Sequence, residues 1–286
     1  MRAMVTGAGG MTGAELVRQA RRKGWKCEGY MRSDLDITDP LAVDAAIRSA
    51  RPDIVFNAAA FTAVDAAEAA GDVAMEVNAD GAGNVARAAT TVGATVVHIS
   101  TDYVFDGRAS RPYLPSDPVS PVNAYGKTKL AGEILVRGAA AKHLIVRTSW
   151  VYSHEGRNFV RAMLRAADDK RELRVVNDQQ GSPTSAADLA SALLDSAEAV
   201  HASPSLAGTY HFSNSGIVTW YEFAKAIFEI RGGEVPRMRP ISTAEYPTPA
   251  RRPAWSALDT TSFEGAFGIT PRPWRDALAE TMRRLA

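Results

Sequence analysis

The feature that most constrains the fold is a glycine-rich turn at the start of the chain. Thr6-Gly7-Ala8-Gly9-Gly10-Met11-Thr12-Gly13 follows a short apolar run, Ala3–Thr6. It opens an amphipathic stretch, Gly13–Lys23, with Leu16, Val17 and Ala20 on one helical face. Strand, tight turn and helix in that order are the phosphate-binding start of a dinucleotide-binding βαβ unit. Gly7 permits the turn, Gly10 lets the backbone approach a pyrophosphate, and Gly13 allows close packing of helix on strand. The phosphates would lie beside Met11 at the helix N-terminus, where free N–H groups and the macrodipole favour negative charge. A glycine turn alone is also a flexible loop; the flanking strand and helix decide for the cofactor.

The same alternation continues. Lys26–Met31, Ile54–Asn57, Thr95–Ser100 and Leu144–Arg147 read as strands; Pro40–Ala50, Val73–Val92 and Tyr125–Arg137 read as helices. Gly24 stands just past the first helix, and Thr38-Asp39-Pro40 offers a cap with proline in the first turn. This spacing predicts right-handed βαβ units and a parallel sheet. After Trp150 the pattern loosens: Asn158–Ala167, Ala186–Val200 and Trp220–Arg231 read as helices, Gly208–Ser213 as a strand, and a proline-rich stretch runs from Pro236 to Pro273. The expected fold is α/β, a Rossmann-like doubly wound parallel sheet with a smaller, interleaved C-terminal substrate domain. Residues 1–149, completed by about 186–214, would bind the dinucleotide; 150–185 and 215–286 would bind substrate.

Composition narrows the class. The 286 residues are 46% hydrophobic and 23% charged, enough apolar sequence for a core without staples. Net charge is +1, which argues against nucleic acid or an anionic membrane as partner. No apolar run approaches the ~20 residues of a membrane span. The chain opens directly into a strand with no signal-peptide pattern, and its single cysteine, Cys27, suits a reducing cytoplasm. Five scattered histidines lack metal-ligand spacing, so no metal is expected. His98, inside an apolar strand, reads as a core side chain, and Trp220–Arg231 as core packing rather than a cofactor box.

Two further signals concern chemistry. The second strand ends in Tyr30-Met31-Arg32-Ser33, where an NAD site usually carries an acid. Arg32 and Ser33 would suit the 2′-phosphate of NADPH, while Asp34 keeps NADH open. Tyr125 and Lys129, four residues apart, share one helix face. A phenol of pKa ~10 is a poor proton donor near neutrality, and the Lys129 ammonium, with the positive oxidised nicotinamide, is expected to lower it. Thr101, at a strand end, could hydrogen-bond a substrate carbonyl. Arg251-Arg252 could grip the phosphates of a sugar nucleotide or form a solvated basic loop, and Gln179–Thr184 could shape a base pocket or a plain turn.

The chain resembles the extended short-chain dehydrogenases/reductases, and more closely the dTDP-4-dehydrorhamnose reductases. The resemblance rests on Asn57–Ala60 with Thr62–Asp65, Ser100–Phe105 (STDYVF), Tyr125–Glu133 (YGKTKLAGE), Arg147–Tyr152 (RTSWVY), Asn158-Phe159, Asp178–Thr184 (DQQGSPT) and Tyr246–Pro253 (YPTPARRP). It implies reduction of the C4 ketone of a dTDP-4-keto-6-deoxyhexose by NADPH. Tyr125 would donate the proton, Lys129 would orient the cofactor ribose and Thr101 would polarise the carbonyl. Asp36 and Ile37 would touch adenine, and Ala58, Ala59 and Ala60 would line the cofactor cleft. Thr62, Val64, Thr101, Asp102, Tyr103, Trp150, Asn158 and Arg251 would contact the sugar nucleotide. Some relatives dimerise through Mg²⁺ held by glutamates; Glu15 matches one, but Ala187 stands where another is expected, so a homodimer here would not be metal-bridged. Dehydratases of the same superfamily carry an Asp-Glu pair after the catalytic threonine, and here Asp102 is followed by Tyr103. Two alternatives stay open: a reductase of another dTDP-4-ketosugar, and an NADP-binding regulatory subunit like that of methionine adenosyltransferase.

Overall fold

In the computed structural model, which describes residues 1–168 and 172–285, the chain begins with β1 (Arg2–Thr6), α1 (Met11–Arg22), β2 (Lys26–Tyr30), α2 (Pro40–Ala50) and β3 (Ile54–Asn57). Two short helices, α3 (Val64–Ala69) and α4 (Gly71–Met75), lead through a π-helical stretch at Glu76–Gly81 into α5 (Ala82–Thr91). β4 (Thr95–Thr101), α6 (Ala124–Ala139) and β5 (His143–Thr148) complete this half. The chain then leaves through β6 (Val151–Tyr152), α7 (Phe159–Asp168), β7 (Leu173–Val176), β8 (Gln180–Gly181) and β9 (Thr184–Ser185). It returns with α8 (Ala186–Ala202) and β10 (Gly208–His211), and ends in β11 (Val218–Thr219), α9 (Trp220–Arg231), β12 (Met238–Ile241), α10 (Thr261–Phe267) and α11 (Trp274–Arg283).

Six parallel strands form the central sheet in the order β10-β5-β4-β3-β1-β2. The chain winds outward from β1 to β2, then crosses to β3 on the other side of β1. That reversal opens a crevice at the C-terminal ends of β1 and β3, where an open α/β sheet binds its ligand. The inner strands β1, β3, β4 and β5 are largely apolar and buried because both faces are covered, whereas the edge strands β2 and β10 are mixed and mostly half-buried. Val5, Phe56, Val97 and Leu144 pack with Leu16 of α1 and Leu189 and Leu193 of α8. Met4, Val55, Val96 and Ile145 face Val43 and Ile47 of α2, Val85 of α5 and Val136 of α6.

Strand ends fall within a residue or two of those expected. The expected helix Val73–Val92 is instead α4, a π-helical turn and α5. The extra residue in the wider turn is absorbed where the chain packs tightly: a Cβ at Gly81 would lie 2.7 Å from the Ile37 side chain. The smaller lobe gathers α7, α9 and α11 around Tyr152, Val160, Phe223, Ile227 and Leu278. Its proline-rich stretch holds more regular structure than its composition suggests. Pro240 sits in β12, whose only strand partner among the described residues is β7, so its missing N–H breaks no central ladder.

Candidate active site

The C-terminal ends of β1, β3, β4 and β5 and the N-terminus of α1 surround a cleft of about 840 Å³. The glycine turn forms one end. Gly7 has φ +68°, and a Cβ there would lie 2.5 Å from the Ala59 nitrogen, so only glycine lets the loops after β1 and β3 meet. A Cβ at Gly13 would collide with the Gly7 carbonyl oxygen, whereas at Gly10 it would meet only that oxygen, at 3.3 Å. Gly10 is the N-cap of α1 and supplies no side chain to the first turn, whose N–H groups therefore face the cleft. This cradle fits a diphosphate.

The rest of the cleft assembles most of the residues singled out in sequence. Gly7, Gly10, Met11, Gly13, Arg32, Asp36, Ile37, Ala58, Ala59 and Ala60 line it with Thr62, Val64, Thr101, Asp102, Tyr103, Tyr125, Lys129 and Trp150. Ser33 does not; its hydroxyl donates to Asp34, whose other carboxylate oxygen accepts the Met31 N–H. Asp34 is thereby committed to its own loop. Arg32 is largely exposed at the rim, 3.8 Å from the Asp36 carboxylate. Asp36 accepts the N–H and hydroxyl of Thr38, and these bonds hold its carboxyl below the usual carboxylate range.

Two close approaches place the central residues. A Cβ at Gly126 would strike the Tyr103 carbonyl oxygen, so the glycine inside Tyr125–Lys129 lets the first turn of α6 lie directly on the loop after β4. Asn123 caps that turn, its side chain accepting the Gly126 N–H. Gly132 similarly rests on the Asn78 carbonyl. Asn78, in the π-helical turn, accepts the Phe61 N–H and donates to the Phe61 carbonyl and the Thr128 hydroxyl, fixing the wall that carries Thr62. Its signal in sequence was absent, because the π turn is indistinguishable from helix by periodicity.

Thr101 donates to Asp102 at 2.9 Å and accepts the Tyr103 N–H. The second Asp102 oxygen is buried without a partner among the described residues. Burial drives this carboxyl up to about 7, against the pull of the Thr101 hydroxyl. Tyr125 departs from the expectation. Burial first, then the Asp102 charge, push its phenol up to about 12, and only the Thr101 hydroxyl acts in the other direction. The Lys129 amine donates to the Ile99 carbonyl at 2.7 Å. Burial pulls Lys129 down to about 8, countered by Glu133. His98 is buried in β4 beside Asn57, and burial with the nearby Lys129 keeps it neutral.

Trp150 faces the cleft with φ +49°, a left-handed backbone uncommon for a bulky residue. It stacks on Trp220 at 3.6 Å and 7°, and Trp220 also lines the cleft. Helix α9 does pack in the core through Phe223 and Ile227, but its first residue is part of the site, which periodicity could not separate. Gln179–Thr184 lies outside the cleft lining and backs Trp150: a Cβ at Gly181 would lie 2.6 Å from its ring. Asn158 is also off the cleft. It donates to the Ser153 and Glu155 carbonyls and accepts the Arg161 N–H, a capping role set by its place before α7. Arg251 is exposed away from the lining, and Arg252 forks onto Asp65 at 2.8 and 2.9 Å, tying the two halves together. Glu15 is paired with Arg18 and Arg284, and Gln19 donates to both Glu15 and the Ala187 carbonyl. Among the described residues no helix is long and apolar enough to cross a membrane.

The full chain, residues 1–286, matches the RmlD substrate binding domain family. It is 46% identical to the spore coat polysaccharide biosynthesis protein SpsK of Bacillus subtilis (strain 168), covering 98% of this chain and 96% of that protein. A solved dTDP-4-dehydrorhamnose reductase from Clostridium acetobutylicum superposes with a TM-score of 0.95 at 42% identity, covering 100% of this chain and 99% of the other. The dTDP-4-dehydrorhamnose reductase of Bacillus anthracis, solved in complex with NADP, gives 0.94 at 38% identity over 99% of each chain.

Proposed function

Because the chain belongs to the RmlD substrate binding domain family, we propose that it uses NADPH to reduce the C4 ketone of dTDP-4-dehydro-L-rhamnose to dTDP-L-rhamnose. The observation that carries this reading is the convergence of Thr101, Tyr125 and Lys129 on the cleft that also holds the glycine cradle. The reduced nicotinamide, when bound, supplies a hydride. The protein supplies the proton. Burial keeps Tyr125 protonated at neutral pH by raising its pKa to about 12; that makes it a weaker acid than a free phenol, and it donates because the oxygen it faces becomes an alkoxide, a stronger base still, as hydride arrives. The Thr101 hydroxyl accepts the Tyr103 N–H and donates to Asp102, and by turning its one proton from that carboxylate it can become a second donor to the same oxygen. Lys129, fixed by the Ile99 carbonyl, places a buried ammonium beside the cofactor half of the cleft. Trp150 and Trp220 offer a flat apolar wall to the sugar nucleotide. Tyr103, not a second carboxylate, directly follows Asp102, so the base a dehydratase needs is missing at that position. We assign residues 1–149 with 186–214 to the cofactor half and the remainder to the substrate half, and place the enzyme in the cytoplasm.

The test is stoichiometric loss of NADPH absorbance with dTDP-4-dehydro-L-rhamnose, with no 4-keto-6-deoxy product formed from dTDP-glucose. Tyr125→Phe should slow turnover by about 10²–10⁴ and leave NADPH affinity unchanged. NADPH binding without turnover would favour the regulatory-subunit alternative instead.

A further inference from the structure

The loop Ser153–Asn158 crosses from the smaller lobe onto the start of α1. Gly156 has φ +72°, and a Cβ there would lie 3.4 Å from the Met11 side chain, so the loop rests on the first residue of the phosphate-facing helix. Nearly every polar group around it is committed. Ser153 accepts the Glu155 N–H, Asn158 bonds the Ser153 and Glu155 carbonyls, and Arg161 donates to the His154 carbonyl at 3.1 Å. Glu155 receives both 3.0 Å bonds of Arg18 from α1. The exception is Arg157. It is an exposed residue of the cleft lining, and among the described residues its guanidinium has no hydrogen-bond or ion-pair partner. The glycine turn from Thr6 to Gly13 contains no lysine or arginine, so its cradle offers backbone dipoles and the Thr12 hydroxyl but no cation to a doubly charged diphosphate.

We infer that Arg157 is a cofactor-binding residue that closes on the diphosphate from the substrate lobe, completing the glycine cradle across the two halves of the protein. The inference rests on the cofactor reading above. A guanidinium forks onto phosphate oxygens, and a loop fixed at both ends delivers it at little further conformational cost. Asn158 and the Arg18–Glu155 pair act as positioning groups for that loop.

A sugar nucleotide also carries a diphosphate, so the experiment separates the two sources. Dissociation constants for NADPH, NADH and dTDP are measured on the wild-type chain, Arg157→Gln and Arg157→Lys. Arg157→Gln should weaken NADPH and NADH alike by about tenfold, the loss of one charge-assisted contact, and leave dTDP unchanged. Arg157→Lys should recover part of that loss, because a lysine meets phosphate as a point charge. Unchanged cofactor affinity in Arg157→Gln, or a loss confined to dTDP, would overturn the inference while leaving the reductase reading intact. A wild-type chain that binds neither NADPH nor NADH would overturn the functional reading itself. The side chain is exposed, and an unaltered thermal midpoint confirms that the variants fold.

Discussion

Glu133 and Glu15 are both buried carboxylates paired with arginine, yet they sit in different parts of the molecule. Glu133 is wholly buried inside the nucleotide-binding half: it accepts from Ser100 of β4 at 2.6 Å and takes a two-point fork from Arg147 of β5, itself 4% exposed. It thereby ties α6, which carries Tyr125 and Lys129, to the two strands beneath the cleft. Glu15 sits at the seam, joining α1 to Arg284 at the C-terminal end of α11, and its partners Arg18 and Arg284 are 27% and 30% exposed. Glu133 also meets Arg137, 45% exposed, at 3.4 Å, but the first pair, with Arg147, is itself enclosed and has little water to replace a lost partner. The second is wet on one side, so solvent can take over from either arginine. The dry pair fixes the helix that carries Tyr125 and Lys129, and the wet one is among the contacts, with Arg252–Asp65, that join the two halves.

The sharpest way to break this contrast is Glu133→Gln, which leaves the buried Arg147 charge uncompensated. It should cost about 3–5 kcal/mol of unfolding free energy in urea titrations. Within the cleft the same contrast recurs between an exposed and a buried cation. Arg32→Ala removes the exposed one and should weaken NADPH relative to NADH by about 1.5–3 kcal/mol, read as a change in the ratio of the two dissociation constants. An unchanged ratio would remove Arg32 from the 2′-phosphate. Lys129 is the buried one. Its ammonium dominates below its pKa of about 8 and is lost above it, while Tyr125, near 12, keeps its proton throughout. Because kcat/KM reports the free enzyme, it should fall on the alkaline side of pH 8, by roughly tenfold per unit. A profile flat to pH 9.5 would contradict a catalytic need for that charge. The smallest effect belongs to the seam: Arg284→Ala should cost about 1 kcal/mol or less. A loss as large as that of Glu133→Gln would show the seam to be as dry as the interior.

The sequence by itself determined the parallel sheet, its winding and most of the cleft, because each rests on local rules. Apolar strand runs, helix caps and a glycine turn at fixed spacing specify βαβ units without reference to distant residues. Even the Tyr125–Lys129 pair follows from helical period alone. What tertiary structure decided depends on residues remote in the chain. Gly126 looks like a weak point in a helix until the Tyr103 carbonyl is found against it. Trp220 looks like core until Trp150, 70 positions earlier, stacks on it. Asn158 and Arg251 carry the right chemistry but are turned to capping and to solvent, and Arg157 reaches the cleft only because Gly156 lays its loop on Met11. The protonation states belong to the same class. Tyr125 was expected to be pulled down by Lys129 together with the positive oxidised nicotinamide; in the protein alone burial pushes it up, a quantity that periodicity does not encode. Pattern along a chain sets which face of an element is apolar, but dehydration and contact are properties of the space between elements, and only the packed molecule defines that space.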